Sequence, residues 1–506
     1  MCPSPGIPRG HFPLMVLTCS ILACGTAAHA VEQRQEATRS FDRTIGVTSG
    51  QMLRLENRHG DVRISTHARP ELRVQATIRV SAPSHTDAAE FVDRIDIEVA
   101  EAPSAITVRT RYPEQPRGTR RNLSYSVDYT VVMPERMVLH ARNSFGNVTI
   151  AGLKSDSTVV NAHGTLTASD SAGRQSLENS FGAVEVARMS GDVTITGANG
   201  SVTATTIAGA LNVTNRFGRV SAGAVQGAAL VANANGQVDI ADVGSASVTN
   251  SFGGVTVKDV RGPLTVTNSN GSVTAAGVKG AAKVTSSFAA IDVKDVGADA
   301  TVDNSNGAVK LATVRGTATV KTSFGAMEVL GVTGSLNATN SNGSVLLRDV
   351  GGPAEVRGSF GRIDAEDMKT GVRVTTGNSG VRILNARGPV TVTTTFGPVE
   401  LRNVDGKVEV RNQNGAIDAV LIAKPTACHD ITLATTFSYI QLQLPDAGYA
   451  VTAQTSFGKI HSDVPITATG TIGEGRLLGT IGSGGCALQL TNSNGDIRIL
   501  KRGAAN

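Results

Sequence analysis

The chain has no tryptophan, 5 tyrosines and only 4% aromatic residues over 506 positions. Nothing in it interleaves aromatic rings with basic residues, which excludes a stacking platform for single-stranded nucleic acid. Charged residues make up 18% and the net charge is +5, with Lys and Arg scattered among Asp and Glu. That pattern describes a solvated mixed surface. The one basic knot, Arg117, Arg120 and Arg121, reads as an exposed loop. The Glu/Lys/Leu bias of a helical repeat is missing. The N-terminal apolar stretch 12–23 is too short to span a bilayer, and no other segment is apolar enough to cross a membrane. Catalytic signatures are missing too: no HExxH, no CxxC, no GxSxG and no phosphate-binding glycine loop ahead of a helix. No catalytic, cofactor-binding or metal-ligating residue is assigned, no cofactor is expected, and nucleic acid is not an expected partner.

Cysteine is scarce, and its placement is informative. Three of the five, Cys2, Cys19 and Cys24, lie in the first 24 residues. There Arg9, the apolar stretch 12–23 and Ala28-His29-Ala30 read as an export signal cleaved before Val31. A second processing route is open, because Ile21-Leu22-Ala23-Cys24 resembles a lipobox in which Cys24 becomes the lipidated first residue. A lipid there is the only membrane attachment expected. Cleavage after Ala30 leaves Cys428 and Cys486, a disulfide candidate for an exported protein. Two buried thiols are the alternative, and neither residue has a Cys or His at ligand spacing.

What the chain has in abundance is 56 glycines among tracts of Val, Thr, Ala, Ser and Asn. Phenylalanine recurs at 145, 181, 217, 252, 288, 324, 360 and 396, at a spacing of 36 residues (35 once). Midway fall His163-Gly164, Asn199-Gly200, Asn235-Gly236, Asn270-Gly271, Asn306-Gly307 and Asn342-Gly343. The resulting 18-residue beat is the signature of a solenoid, whose repeats stack only on their neighbours. Counted from the turn glycine as zero, apolar residues take offsets 2, 4, 7, 11 and 13, as in Val255, Val257, Val260, Leu264 and Val266. Steps of two are strand alternation, and the odd step from 4 to 7 demands a corner. Glycine at zero marks a second corner, and Gly262 a third. The pattern predicts an all-β parallel β-helix of three short strands per coil, about 75 Å long at about 4.8 Å per coil. The period does not set the handedness.

Offset 15 is often Asn (Asn161, Asn215, Asn268, Asn340) and extends the inward row, where stacked amides can serve the corner's backbone groups. Offset 17 has the same parity, so the Phe rings are expected to pack at a corner rather than be displayed. A contact surface is then expected on the outward Thr, Lys and Asp columns. Four regions follow: a signal peptide over 1–30, a β-strand region over 31–136 capping the first coil, the regular solenoid over 137–420, and irregular closing coils forming a C-terminal cap over 421–506.

The leader, the opening LENRHGDVRI, the segment YTVVMPERMVLHARNSFGNVTI, the repeated N-x-x-G-x-V-x-V units and the closing LTNSNGDIRILKR together resemble a bacterial β-strand-repeat family of adhesin-like proteins, a domain of unknown function. The resemblance implies a non-enzymatic, exported scaffold of the periplasm, outer membrane or cell surface. Its expected partner is an envelope component, a glycan, a protein or another copy of the chain. The alternative from another class is a carbohydrate-active β-helix enzyme, a polysaccharide lyase or hydrolase, for which acids must cluster. Asp364, Glu366 and Asp367 are the densest acids, and the column Asp242, Asp259, Asp295, Asp349, Asp367 precedes a turn. Side-chain bonding to the turn backbone is the simpler account of that column.

Overall fold

A computed structural model describes residues 34–114, 122–469 and 473–502. The leader 1–30 with Cys24, and the knot Arg117, Arg120 and Arg121, lie outside the described residues. The rest is a parallel β-solenoid of about 16 turns with about 18 residues per coil. A representative coil holds the strands Val255–Val260 and Leu264–Asn270. Each pairs in parallel with the residue 18 positions on, Val255 with Val273 and Leu264 with Ala282.

The inward row follows the alternation of small aliphatics. Val255, Val257, Val260, Leu264 and Val266 are all buried, and their equivalents form one continuous spine. Each coil thus buries its apolar side chains against the coils above and below, so the rod lengthens without widening its core.

Three strands per coil were expected, and two are found. Asp259 has φ 54° and drops out of the pairing, so the first strand bends there and Val260 re-enters the core. The stretch after the bend contributes only the Val260–Val278 pair and forms no ladder of its own. The same left-handed corner recurs at Asp242, Asp295, Asp349 and Asp367, at Asn385 and Asn403, and at Gly277 and Gly331. Asp, Asn and Gly tolerate this backbone region best. The acid column is therefore a corner device. At the opposite corner the turn glycine meets two constraints. Gly271 has φ 140°, and a Cβ built on it would lie 2.1 Å from the Gly253 carbonyl oxygen of the preceding coil.

Both ends depart from the repeat. At the N-terminal end Gln35–Gly46 runs antiparallel to Glu71–Ala82, which runs antiparallel to Ser124–Pro134. That sheet joins the solenoid through the parallel strands Val62–His67 and Val148–Ala151. The other stack ends in the antiparallel pair Asp96–Glu101 and Ala105–Arg111 beside Met52–His59. The helix His85–Arg94 was not expected from the strand-like reading of this region. Ser84 caps it by accepting from the Asp87 amide, and Ala88, Phe91 and Val92 form its buried face. The helix packs on Gln35–Gly46 and Glu71–Ala82, and antiparallel strands take the place of a further parallel coil at that end.

At the C-terminal end the strand order inverts. Ile431–Phe437 pairs with Cys486–Asn494, a step of 57 residues from Phe437 to Asn494. Tyr449–Phe457 lies on the far side of Cys486–Asn494 and carries the antiparallel strand Arg476–Ile481. Cys428 and Cys486 are bonded to each other at the entrance to these strands, with Cα atoms 5.9 Å apart.

Candidate functional site

The corner between the second strand and the turn glycine carries two rows of amides with different work. Asn268, at offset 15, is 2% exposed. Its Nδ2 donates to the Gly253 carbonyl at 3.2 Å and to the Gly271 carbonyl at 2.8 Å, joining two coils. The pattern repeats at Asn233, Asn250 and Asn304. Direct bonds along the column join Asn143 to Asn161, Asn161 to Asn179 and Asn215 to Asn233, each at 3.3 Å. The expected amide column is present and serves mainly the glycine carbonyls. At the cap the column opens with Asn57, whose Oδ1 accepts from Thr110 and from the Tyr112 hydroxyl.

Because that amide fills the corner, the residue two positions on cannot share the interior. The expectation that the Phe rings pack inward fails here. From Phe145 to Phe437 the rings are 44 to 55% exposed. Parity alone placed them inside; the corner between offsets 15 and 17 breaks the alternation. Register puts each ring between two amides down the axis, in the order Phe252, Asn270, Phe288, Asn306, Phe324, Asn342, Phe360. The edge Asn is held in its rung by its Nδ2, which donates to a carbonyl of the preceding coil at 3.3–3.4 Å, as Asn270 does to Ser251. Near the N-terminal end histidine replaces Asn, and His59, Phe145, His163 and Phe181 form one ring stack. Their centroid separations are 5.2, 4.7 and 4.8 Å, with tilts of 9° or less. In that stack ring faces thus meet neighbours along the axis, and ring edges meet solvent. Burial pushes the His59 imidazole's pKa down, with Arg58 adding to the effect.

The columns beside this edge are small and uncharged over the middle of the rod. On one side stand Ser251, Ser269, Ser287, Ser305, Ser323 and Ser341, and on the other Gly254, Ser272, Ala290, Ala308, Ala326 and Ser344. Charge resumes at Arg219 below and Arg362 above. Some of the outward columns on which a contact surface was expected carry ion pairs between coils, Lys310 with Glu328, Arg348 with Glu366 and Arg382 with Glu400. Such exposed pairs contribute at most about 1 kcal/mol each.

The acids singled out for catalysis are engaged separately. Asp364 accepts from Arg362 at 2.8 Å and Glu366 from Arg348 at 2.8 Å. Asp367 sits at a left-handed corner with φ 59° and accepts from Asn385 at 3.1 Å. Asp364 and Glu366 line an open depression on the side of the rod, with no inserted loop to close it, and Asp367 is not part of its lining. Among the described residues no group of three or more His, Cys, Asp or Glu could hold a metal ion. The exposed aromatic edge is what sequence reasoning missed. The 36-residue Phe spacing was its signal, and the strand parity obscured it.

Residues 359–500 match the family model described as Toastrack DUF4097. Over those residues the resemblance to an adhesin-like β-strand-repeat family of undefined function holds. No curated protein matches the chain. Two crystal structures are similar to it. One is described as a "putative cell adhesion protein" from Clostridium sporogenes, at 8% identity over 92% of this chain and 100% of that chain, with a TM-score of 0.16. The other is described as a "putative adhesin" from Parabacteroides distasonis, at 14% identity over 74% of this chain and 97% of that chain, with a TM-score of 0.15. Superpositions this poor carry no argument about fold or function.

Proposed function

We propose that this chain is an exported, non-catalytic, adhesin-like binding rod of the bacterial cell envelope, and that it binds through its aromatic edge. The observation that carries the reading is the row of half-exposed Phe rings with small uncharged flanks. Monomeric soluble proteins seldom display contiguous apolar area of more than a few hundred Å², and such patches mark interaction sites. The ion-paired columns and the separately engaged acids support a binding role over a hydrolytic one. The leader 1–30 supports export, with the mature chain starting at Val31 or at a lipidated Cys24.

The test replaces Phe252, Phe288 and Phe324 with Ser together and measures retention of the protein on envelope preparations. Loss of retention with an unchanged circular dichroism spectrum is expected. Retention equal to the parent would overturn the assignment of the edge. N-terminal sequencing and mass measurement of the exported protein decide between Val31 and Cys24.

A further inference from the structure

The aromatic edge has a feature that its exposure alone does not explain: its middle is neutral, and its alternation of ring and amide repeats every second coil. We infer that the partner it fits is a second copy of this chain, laid alongside so that two aromatic edges face each other. This rests on the reading of the edge as a binding surface and names its occupant.

Area permits it. An aromatic side chain can bury about 150–250 Å², so a half-exposed Phe offers about 100 Å². The seven rings from Phe181 to Phe396 then supply about 700 Å² per copy, with a neutral centre around Phe252, Phe288 and Phe324 and with Arg216, Arg219 and Arg362 towards the ends. The small flanking residues bring the face to the about 800 Å² per partner of a standard stable interface.

Relief favours it. Along the edge a projecting ring alternates with a shorter amide every coil, so rings recur at about 9.6 Å, twice the strand spacing. A second copy laid antiparallel, with the two-fold midway between a ring and an amide, sets its rings against the amides of the first. A foreign partner would need that repeat independently, whereas another copy has it by construction. An isologous pairing of this kind closes at two copies.

Charge favours it as well. Across the two-fold each flanking column faces the same column of the other copy running the opposite way, so a flank of one sign would repel itself and a neutral flank does not. From Gln237 to Ser344 both flanking columns carry no charge, although charged residues occupy the outward columns of the same coils. The alternative occupant, a glycan, packs on ring faces. In the stack from His59 to Phe181 those faces are covered at 4.7–5.2 Å by the neighbouring ring, and in the contact itself register sets each ring between two Asn side chains.

Three forms of the full chain test the inference by sedimentation velocity across a concentration series. The parent should self-associate. F252S/F288S/F324S should weaken association by about a hundredfold or more, since central aromatic anchors dominate such contacts. K258S/K294S, on an outward column, should leave it unchanged. A charge pair guards against misfolding of the Phe variant: S287E/S305E/S323E and S287K/S305K/S323K should each be monomeric alone, and should pair when mixed, in a salt-sensitive way. A parent that stays monomeric throughout overturns the inference. If the Phe variant has then also lost envelope retention, the edge serves a foreign partner such as a glycan; if retention persists, both readings fall. A parent and Phe variant that associate equally place the contact elsewhere and overturn it too.

Discussion

Replacing Asn268 with Ala tests how the corner is held. The side chain is buried, and its Nδ2 donates to the Gly253 and Gly271 carbonyls, at 3.2 and 2.8 Å. Each such bond contributes about 0.5–1.5 kcal/mol net, and a buried carbonyl left without a donor costs more. Its Oδ1 has no partner in the described structure, so deleting it returns part of that loss. The balance is about 2 kcal/mol. Asn268→Thr should cost about half as much, because at the equivalent position Thr322 reaches the Phe324 carbonyl at 3.3 Å and the Gly307 carbonyl only at 3.5 Å. Asn270→Ala is the internal control. It is the same residue type two positions on, but its single bond, to Ser251 at 3.3 Å, lies on the exposed edge, and its loss should cost under about 1 kcal/mol. Because repeats couple mainly to their neighbours, the loss should be local. Native-state hydrogen exchange at the Gly253 and Val273 amides, which bond to Asn270 and Ala290, reads it out beside denaturant melts. If Asn268→Ala costs no more than Asn270→Ala, the inward amides do not hold the corner, and the reasoning is wrong.

Ala289 occupies a turn-glycine position with φ 80°; Ala289→Gly should stabilise the rod by about 1 kcal/mol in denaturant melts, the relieved strain exceeding the added chain entropy. The converse change, Gly271→Ala, should cost about 3 kcal/mol or more, from positive φ plus collision with the Gly253 carbonyl. Breaking the Cys428–Cys486 link frees a loop of 58 residues, and C428S should destabilise the terminal coils by up to about 4 kcal/mol, seen as faster proteolysis over 449–501. The Arg188 hydrogen bond, then that of Ser169, lowers the Asp170 pKa to about 2 from 3.8. A depressed carboxylate stabilises fully above its unfolded value and loses that contribution as pH falls through the folded one. Melting temperature should therefore drop between about pH 4 and pH 2, and less steeply in D170N.

Much of the coil was legible because it depends on local rules. Alternating Val, the turn glycine and the inward Asn follow from side-chain parity and backbone sterics, and each sits where its offset put it. The bend at Asp259 was legible as a break in alternation, but not that it would merge two of three strands into one. The exposed Phe row was misread because parity was carried across a corner that the buried amide of offset 15 had already filled. The helix His85–Arg94 was hidden in a region read as uniformly extended, although Ser84 with Asp87 three residues on marks its start. The strand inversion at the far end had no local signal, since pairing over 57 residues depends on which edge is free.

That inversion fixes an order of assembly. Coils up to Ile431–Phe437 can be added one at a time as the chain becomes available, each templated by the one before. The next coil in sequence, Tyr449–Phe457, has no place on the growing face, because the strand that belongs there, Cys486–Asn494, comes later in the chain. The rod therefore keeps a live, strand-accepting end until residues 486–501 arrive, and only then can the waiting coil fold over as a lid. A chain interrupted before that point is left with an adhesive tip, and sealing becomes a check that the closing segment has been delivered.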